Sequence, residues 1–202
     1  MTSAAAPSRP GPAGKPPEVV PAGPLLLRRT RAEDAVEIAS VVRASLDHLR
    51  PWMAWATPEA ADHRAQAARI TESDQMWAGG TDYIYSIFLA GGGALVGTIG
   101  LHRRVGDCGI EIGYWIAADQ TRRGYATEAA RALTSVAMTL PGVSRVEIHC
   151  DEGNTASAGV PRKLGYRLER IAPHVREAPA ERGQRMIWVW DGRGVEPGEG
   201  SR

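Results

Sequence analysis

Lysine, cysteine and net charge are all scarce in this sequence. Among 202 residues there are two cysteines, at 108 and 150. That is too few for a disulfide framework, and the spacing is not that of a zinc site. Both lie in strand-like runs and read as small buried hydrophobes. The 24 basic residues almost balance the 23 acidic ones, leaving a formal charge of +1. No overall field exists to gather polyanions, so a nucleic-acid partner is not expected. Apolar runs fall far short of the roughly 18 residues a membrane-spanning helix needs, so no membrane partner is expected either. The start, MTSAAAPSRPGPAGKPPE, lacks the apolar stretch of about 7–15 residues behind a basic one that marks a secretory signal, and a cytoplasmic location follows. Hydrophobic residues make up 43% and charged residues 23%, as in an average globular protein, which excludes collagen-like, mucin-like and wholly disordered classes. Only 2 basic residues are Lys against 22 Arg, alongside many Ala and Gly, a bias that fits a GC-rich bacterial genome.

Residues 1–24 hold seven of the 14 prolines and show no apolar periodicity. Such a segment buries too little surface to offset its ordering entropy, so 1–24 is expected to be a disordered leader. A domain at 25–191 and a flexible tail at 192–202 follow. LLLRR at 25–29 reads as a short strand, and Thr30-Arg-Ala-Glu33 as a capping box opening a helix over about 31–45. Thr57-Pro58 predicts the start of a second helix running to Trp77. Strands are expected at 83–89, 94–103 and 108–116 as a meander with glycine turns. A helix opened by Gly124 runs to about 140. It is followed by a strand at 145–150, a helix at about 155–164, and final strands at 166–171 and 184–190, in which Trp188 and Trp190 read as core. This order predicts an α/β or α+β fold with a mixed sheet of about 6–7 strands flanked by helices.

Chemistry concentrates in two segments. Glu111-Ile-Gly-Tyr-Trp-Ile-Ala-Ala-Asp-Gln-Thr-Arg-Arg-Gly-Tyr-Ala-Thr-Glu128 runs from a strand through a glycine turn into a helix. Backbone N–H groups around 122–127 then lack intrahelical partners and face whatever lies before the helix, a setting suited to pyrophosphate. Arg122 and Arg123 add positive charge, and Gly124 and Ala126 leave room for close approach. Neither G-x-x-x-x-G-K-[ST] nor G-x-G-x-x-G is present here, so an NTPase or dinucleotide fold is unsupported. The second segment, Asp151-Glu-Gly-Asn154-Thr-Ala-Ser157 through Lys163-Leu-Gly-Tyr166, also follows a strand. Asn154 fits as the cap of a short helix that Gly165 ends.

Together these segments resemble the GCN5-related N-acetyltransferase (GNAT) superfamily, whose pyrophosphate loop has the form Q/R-x-x-G-x-G/A. Here the loop is Thr121-Arg-Arg-Gly124-Tyr-Ala126, departing at its first position. His48-Leu-Arg-Pro-Trp-Met-Ala-Trp55, Glu111-Ile-Gly-Tyr-Trp115, Gly124-Tyr-Ala-Thr-Glu-Ala129 and Asn154-x-x-Ser157 are similar to the RimJ/RimL-like branch, the ribosomal-protein N-terminal acetyltransferases. The resemblance covers about 25–190. It implies a GNAT fold, acetyl-CoA as co-substrate with no metal, and an acceptor that is a protein or peptide N-terminus or a small amine such as a polyamine or aminoglycoside. A transferase using a larger acyl-CoA such as succinyl-CoA is the alternative within the class, and a non-enzymatic acyl-CoA-binding sensor is the reading from another class. A monomer and a homodimer are both open.

Acetyl transfer needs a neutral amine, a polarised thioester carbonyl and a proton for the leaving thiolate. Strand alternation puts Glu111, Gly113 and Trp115 on one face, making Glu111 the candidate base, with Tyr114 on the other face as core. The resemblance implies that this strand splays near 113–116, so that Trp115 and Ile116 join Arg122, Arg123, Gly124, Tyr125, Ala126, Thr127 and Asn154 in holding the cofactor. Many superfamily members place an acidic Tyr four residues before the K-L-G glycine. That position here is Pro161, so Ser157 becomes the candidate group facing the sulfur. Trp52 and Trp55, in a proline-bounded loop, are candidate walls of the acceptor groove. His149 and Glu147 share a strand face that could lie near the acceptor amine. Acidic residues 59, 62, 72 and 74 on the second helix could form the cluster a polycation requires, whereas 46–57 contains only Asp47. An α-amine, with pKa near 7.7–8.0 against about 10.4 for lysine, is the acceptor the chemistry prefers.

Overall fold

A computed structural model of the chain describes residues 14–192. Most of the expected leader and tail, at 1–13 and 193–202, lies outside these residues. Within them, a first strand forms where the leader was expected: β1 (Val19–Ala22) pairs antiparallel with β2 (Leu25–Arg29) through a turn at Gly23. Val20 and Ala22 enter the core, each 5% exposed, and Pro21 costs no ladder hydrogen bond on a strand at the sheet edge. The ordered fold therefore starts before residue 25. The sheet has eight strands because this one is added.

The other strands are β3 (Asp82–Leu89), β4 (Leu95–His102), β5 (Gly109–Ile116), β6 (Arg145–Asp151), β7 (Arg167–Pro173) and β8 (Gln184–Trp190). Their order is β1-β2-β3-β4-β5-β6-β8-β7, antiparallel except for β5 against β6. That parallel pairing covers only Gly109, Ile110 and Glu111 opposite Arg145, Val146 and Glu147. Beyond it the two strands part. From Ile112 on, β5 stays paired with β4, while β6 continues beside β8.

Helix α4 (Tyr125–Ala137) crosses from β5 to β6 on one face of the sheet. Its inner stripe of Ala129, Ala130, Leu133 and Ala137 is fully buried, and three small residues let the helix sit close to the strands. Burial of Leu133 alone contributes about 1.5–3 kcal/mol. On the opposite face α1 (Ala35–Ala44), the short α2 (Leu46–Leu49) and α3 (His63–Gly79) enclose a smaller core around Ile38, Val42, Ile70 and Trp115. Helix α5 (Thr155–Lys163) follows β6. Among the described residues no helix is long and apolar enough to cross a membrane.

Two helix starts differ from expectation. Asp62, not Thr57, caps α3, accepting from the N–H groups of Arg64 at 2.8 Å and Ala65 at 3.4 Å, while 59–61 form a separate short turn. Before α1 the capping carboxylate is Asp34, which accepts from Arg31 N–H at 2.9 Å, and Thr30 turns inward to Ser86 at 3.0 Å. Cys150 is buried as expected, but Cys108 is exposed. It lies in the turn before β5, outside the ladder that would have covered it.

The loop joining β7 to β8 is tied to the sheet by Asp151. Its Oδ2 accepts from the N–H groups of Arg182 and Gly183, both at 2.9 Å, and from His174 Nε2 at 3.2 Å, while Oδ1 accepts from Gly153 N–H at 2.8 Å. Burial would raise the carboxyl's pKa, but these donors outweigh it and hold the group well below the usual carboxylate range. A lowered folded-state pKa gives stability that is present above the unfolded value of about 3.9 and is lost as pH falls below it. Asp151→Asn should cost about 2–4 kcal/mol at pH 7, because an amide cannot accept from all these donors. Urea unfolding from pH 7 to pH 3 should show the gap between variant and wild type narrowing.

Candidate functional site

A cleft of about 890 Å³ opens on the α1–α3 face of the sheet. Its floor is the β4 and β5 surface at Thr98, Gly100, His102, Glu111 and Gly113, continued by His149 and Asp151 of β6. Its walls are α3, the 52–55 loop and the β7–β8 loop, which contributes Glu177 and Glu181. The last two are fastened together, since Ala180 N–H donates to Pro51 O at 2.9 Å. Trp52 and Trp55 both line the cleft, as expected. Trp55 lies 6.1 Å from Trp115, and Arg69 stacks over its outer face at 4.9 Å. The acidic residues of α3 do not gather here. Asp62 is spent as a cap, Asp74 pairs with Arg29 at 2.6 Å, Glu59 is exposed, and Glu72 alone reaches the lining.

Glu111, 7% exposed, sits on the floor with both oxygens engaged. Arg104 Nε donates to Oε2 at 2.7 Å and Nη2 to Oε1 at 2.8 Å. Burial pushes the carboxyl's pKa up, the Arg104 guanidinium and nearby His149 pull it down, and the net direction is down. At neutral pH Glu111 is therefore a carboxylate with reduced appetite for a proton. His149 stands beside it, Nδ1 at 3.7 Å from Glu111 Oε2 and Nε2 at 2.5 Å from Glu147 Oε2. The polar strand face expected at 147 and 149 is therefore present and adjoins Glu111. Sequence reasoning missed a second pair on the same floor. His102 Nδ1 is hydrogen-bonded to Asp82, its cross-strand partner, and His102 is in turn directly opposite Glu111.

The gap where β5 and β6 part is bordered by Tyr114 and α5. Asn154 caps α5, its side chain accepting from Ser157 N–H at 3.0 Å. Pro161 lies inside α5 and has no N–H to give the carbonyl four residues back. That carbonyl belongs to Ser157, and the Tyr114 hydroxyl reaches it at 3.2 Å, with Ser157 Oγ also at 3.2 Å. Tyr114 packs against the main core, as strand alternation predicts, while also lining the cleft with Ser157 and Asn154. Burial pushes its phenol well above the ordinary range, so both hydroxyls are neutral donors.

Of the nine residues expected to hold a cofactor, Trp115 and Ile116 are 8% and 9% exposed and face opposite cores, which leaves only their backbone for a ligand. Residues 122–127 lie outside the cleft lining, beyond the C-terminal end of β5. There Arg122 has a φ of 61° and Gly124 of 82°, which turns the chain sharply into α4. The N–H groups of the first turn of α4 face out, the two arginines are exposed, and open space surrounds the position a Gly124 Cβ would take. This cradle fits a diphosphate.

A family model described as an acetyltransferase (GNAT) domain matches residues 24–167. The chain belongs to the GNAT acetyltransferase family. A putative ribosomal N-acetyltransferase, YdaF of Bacillus subtilis, is 28% identical over 145 residues, covering 70% of this chain and 77% of that protein. Among solved structures, RimJ of Mycobacterium smegmatis in complex with CoA-disulfide is 24% identical, covering 89% of each chain, with a TM-score of 0.77. RimL, a ribosomal L7/L12 alpha-N-protein acetyltransferase in complex with coenzyme A, is 17% identical, covering 86% of this chain and 98% of that one, with a TM-score of 0.78. Both share the fold.

In this GNAT domain the cradle at 122–127 should be separable from the cleft. Replacing Arg122 and Arg123 together by Glu should weaken coenzyme A binding about 10–100-fold by calorimetry, since like charges then face the phosphates. Affinity equal to wild type would remove the loop from the cofactor site.

Proposed function

We propose that the protein transfers the acetyl group of acetyl-CoA to the α-amine of a protein or peptide N-terminus, by direct attack with both substrates bound. The observation that carries this is the opening between β5 and β6, which joins the acceptor cleft to the side on which the phosphate cradle lies. The coenzyme, when bound, supplies an acetyl group activated as a thioester. The cradle at 122–127 takes its diphosphate, and backbone groups of β5 beyond Glu111, unpaired on the β6 side, take the pantetheine amides. RimL and RimJ, named above with coenzyme A bound, and the B. subtilis ribosomal N-acetyltransferase support the same assignment.

On the thiol side Ser157 and Tyr114 aim their hydroxyls into the gap. Ser157 Oγ donates to the departing sulfur, and the Tyr114 hydroxyl, beside it, supports that hydrogen bond. On the acceptor side Glu111 is a fixed negative charge that draws an amine to the floor. Its pairing with Arg104 offsets that charge enough to keep the cleft from being a polycation trap. Asp151 and Glu181 are likewise satisfied, Glu181 by the N–H groups of Glu177 and Ala178. A cleft of this volume between tryptophans accommodates the first few residues of an extended chain. An α-amine is already partly neutral at pH 7, so it needs less help than lysine to become a nucleophile.

Incubation with acetyl-CoA and peptides beginning with Ser, Ala or Thr should place the added acetyl group on the N-terminal nitrogen by mass spectrometry. Modification confined to lysine side chains, or rapid turnover of spermidine or an aminoglycoside with none of peptides, would overturn the acceptor assignment. Glu111→Gln should lower kcat/KM for the peptide about 10–100-fold, uniformly between pH 6 and 9, because the native carboxylate stays ionised across that range. A loss confined to low pH would instead make Glu111 the proton acceptor.

A further inference from the structure

We propose that His102, oriented by Asp82, is the general base that takes the proton from the acceptor amine. This rests on the amine-acetyltransferase reading above and names the group that reading leaves open. Three features of the floor lead to it. Asp82 on β3 and His102 on β4 are cross-strand partners, and the hydrogen bond from Nδ1 fixes both the ring plane and the tautomer with its proton on Nδ1. That bond is the main cause of the lowered pKa of Asp82, which stays an anion ready to support an imidazolium.

The ring is also aimed. A Cβ on Gly100 would come within 2.9 Å of His102 Nε2, and one on Gly113 within 3.4 Å. The imidazole thus lies over a cross-strand pair of glycines, pointing along the sheet toward the end at which β5 leaves β6. A side chain at Gly100 would crowd both the ring and Ile84, whereas one at Gly113 would only touch the ring. Nε2 has no hydrogen-bond partner among the described residues and lines the cleft, so its lone pair is presented to whatever occupies the floor.

Glu111, the other candidate, has both oxygens occupied by Arg104 and a lowered proton affinity. His149 is tied to Glu147. Asp82 from β3 is hydrogen-bonded to His102, and the acidic and basic side chains that share the cleft lining with it are Glu111 with Arg104, His149 and Asp151 from the floor, Arg69 and Glu72 from α3, Arg185 from β8, and Glu177 and Glu181 from the β7–β8 loop.

The step balances without a further reagent. The amine nitrogen forms a bond to the acetyl carbonyl carbon, and its extra proton passes to Nε2. The carbon–sulfur bond breaks, and Ser157 Oγ gives its proton to the thiolate. The imidazolium then releases its proton to solvent, from which the serine hydroxyl is restored.

The test is the pH dependence of kcat/KM for wild type and His102→Gln, measured with whichever amine the wild type turns over fastest. Failure of peptide acceptors then bears on the acceptor class alone. At neutral pH His102→Gln should lose about 10²–10⁴-fold in kcat/KM, with coenzyme A affinity retained. On the acid limb, log kcat/KM for wild type should rise with a slope of about two, one for the amine and one for the imidazole, and the variant's slope should be about one. A His102→Gln enzyme with wild-type rate and slope would overturn the assignment. Nitrogen-15 NMR of the wild-type histidines gives a second readout that needs no variant. Neutral His102 should carry its proton on Nδ1, and a proton on Nε2 would overturn the assignment.

Discussion

Two parallel strands that separate after three residue pairs determine most of what this protein can do. Glu111 opposite Glu147 is the last rung shared by β5 and β6. Past it each strand has one partner instead of two, and the backbone polar groups on the parted edges must find others. In the proposed reaction this gap carries the pantetheine arm from the Gly124 turn to the cleft, a route that a continuous sheet would have closed. Helix α5 props the gap apart, with Asn154 fixing its start and Pro161 releasing the Ser157 carbonyl that Tyr114 then meets.

The last shared rung also concentrates charge. Glu111 and Glu147 are side by side and buried, an arrangement that would repel if left alone. Arg104 on one flank, Arg145 on the other and His149 between them neutralise it, and the cleft floor becomes a row of paired groups running across four strands to Asp82. Within that row His102 Nε2 is left with an unshared lone pair. Pairing keeps Glu111 and Asp82 anionic, and in the proposed mechanism the amine proton passes to the imidazole.

Seven of the eight strands, four of the five α-helices among the described residues and the 122–127 turn were legible in the sequence because each rests on local signals: alternation, glycine turns, and the Gly124 and Asn154 helix starts. The asparagine cap and the 122–127 loop lie where those signals put them. Strand β1 was not legible, because proline-rich composition hid a four-residue edge strand that needs no donor at Pro21. Alternation places Tyr114 against the core, where it packs, but does not register the carbonyl freed four residues before a proline on another element, which its hydroxyl meets. The Asp82–His102 pair depended on register. A hairpin centred on Gly92 places 82 opposite 102, but the irregularity at Ile87 and Phe88 shifts the pairing near the turn by one, and nothing local marks it. Glu111 was found, and its burden was not, since Arg104 is an unremarkable loop arginine until the fold brings it round.

The most direct measurement is a crystal structure with coenzyme A and an N-acetylated peptide bound together. The account predicts diphosphate oxygens about 3 Å from the N–H groups of the Gly124 turn, the pantetheine arm in the gap between β5 and β6, and its sulfur beside Ser157. It also predicts the acetamide nitrogen facing His102 Nε2 above the Gly100–Gly113 pair. A pantetheine arm that bypasses the gap, or a peptide whose acetylated end lies away from the His102 floor, would contradict it.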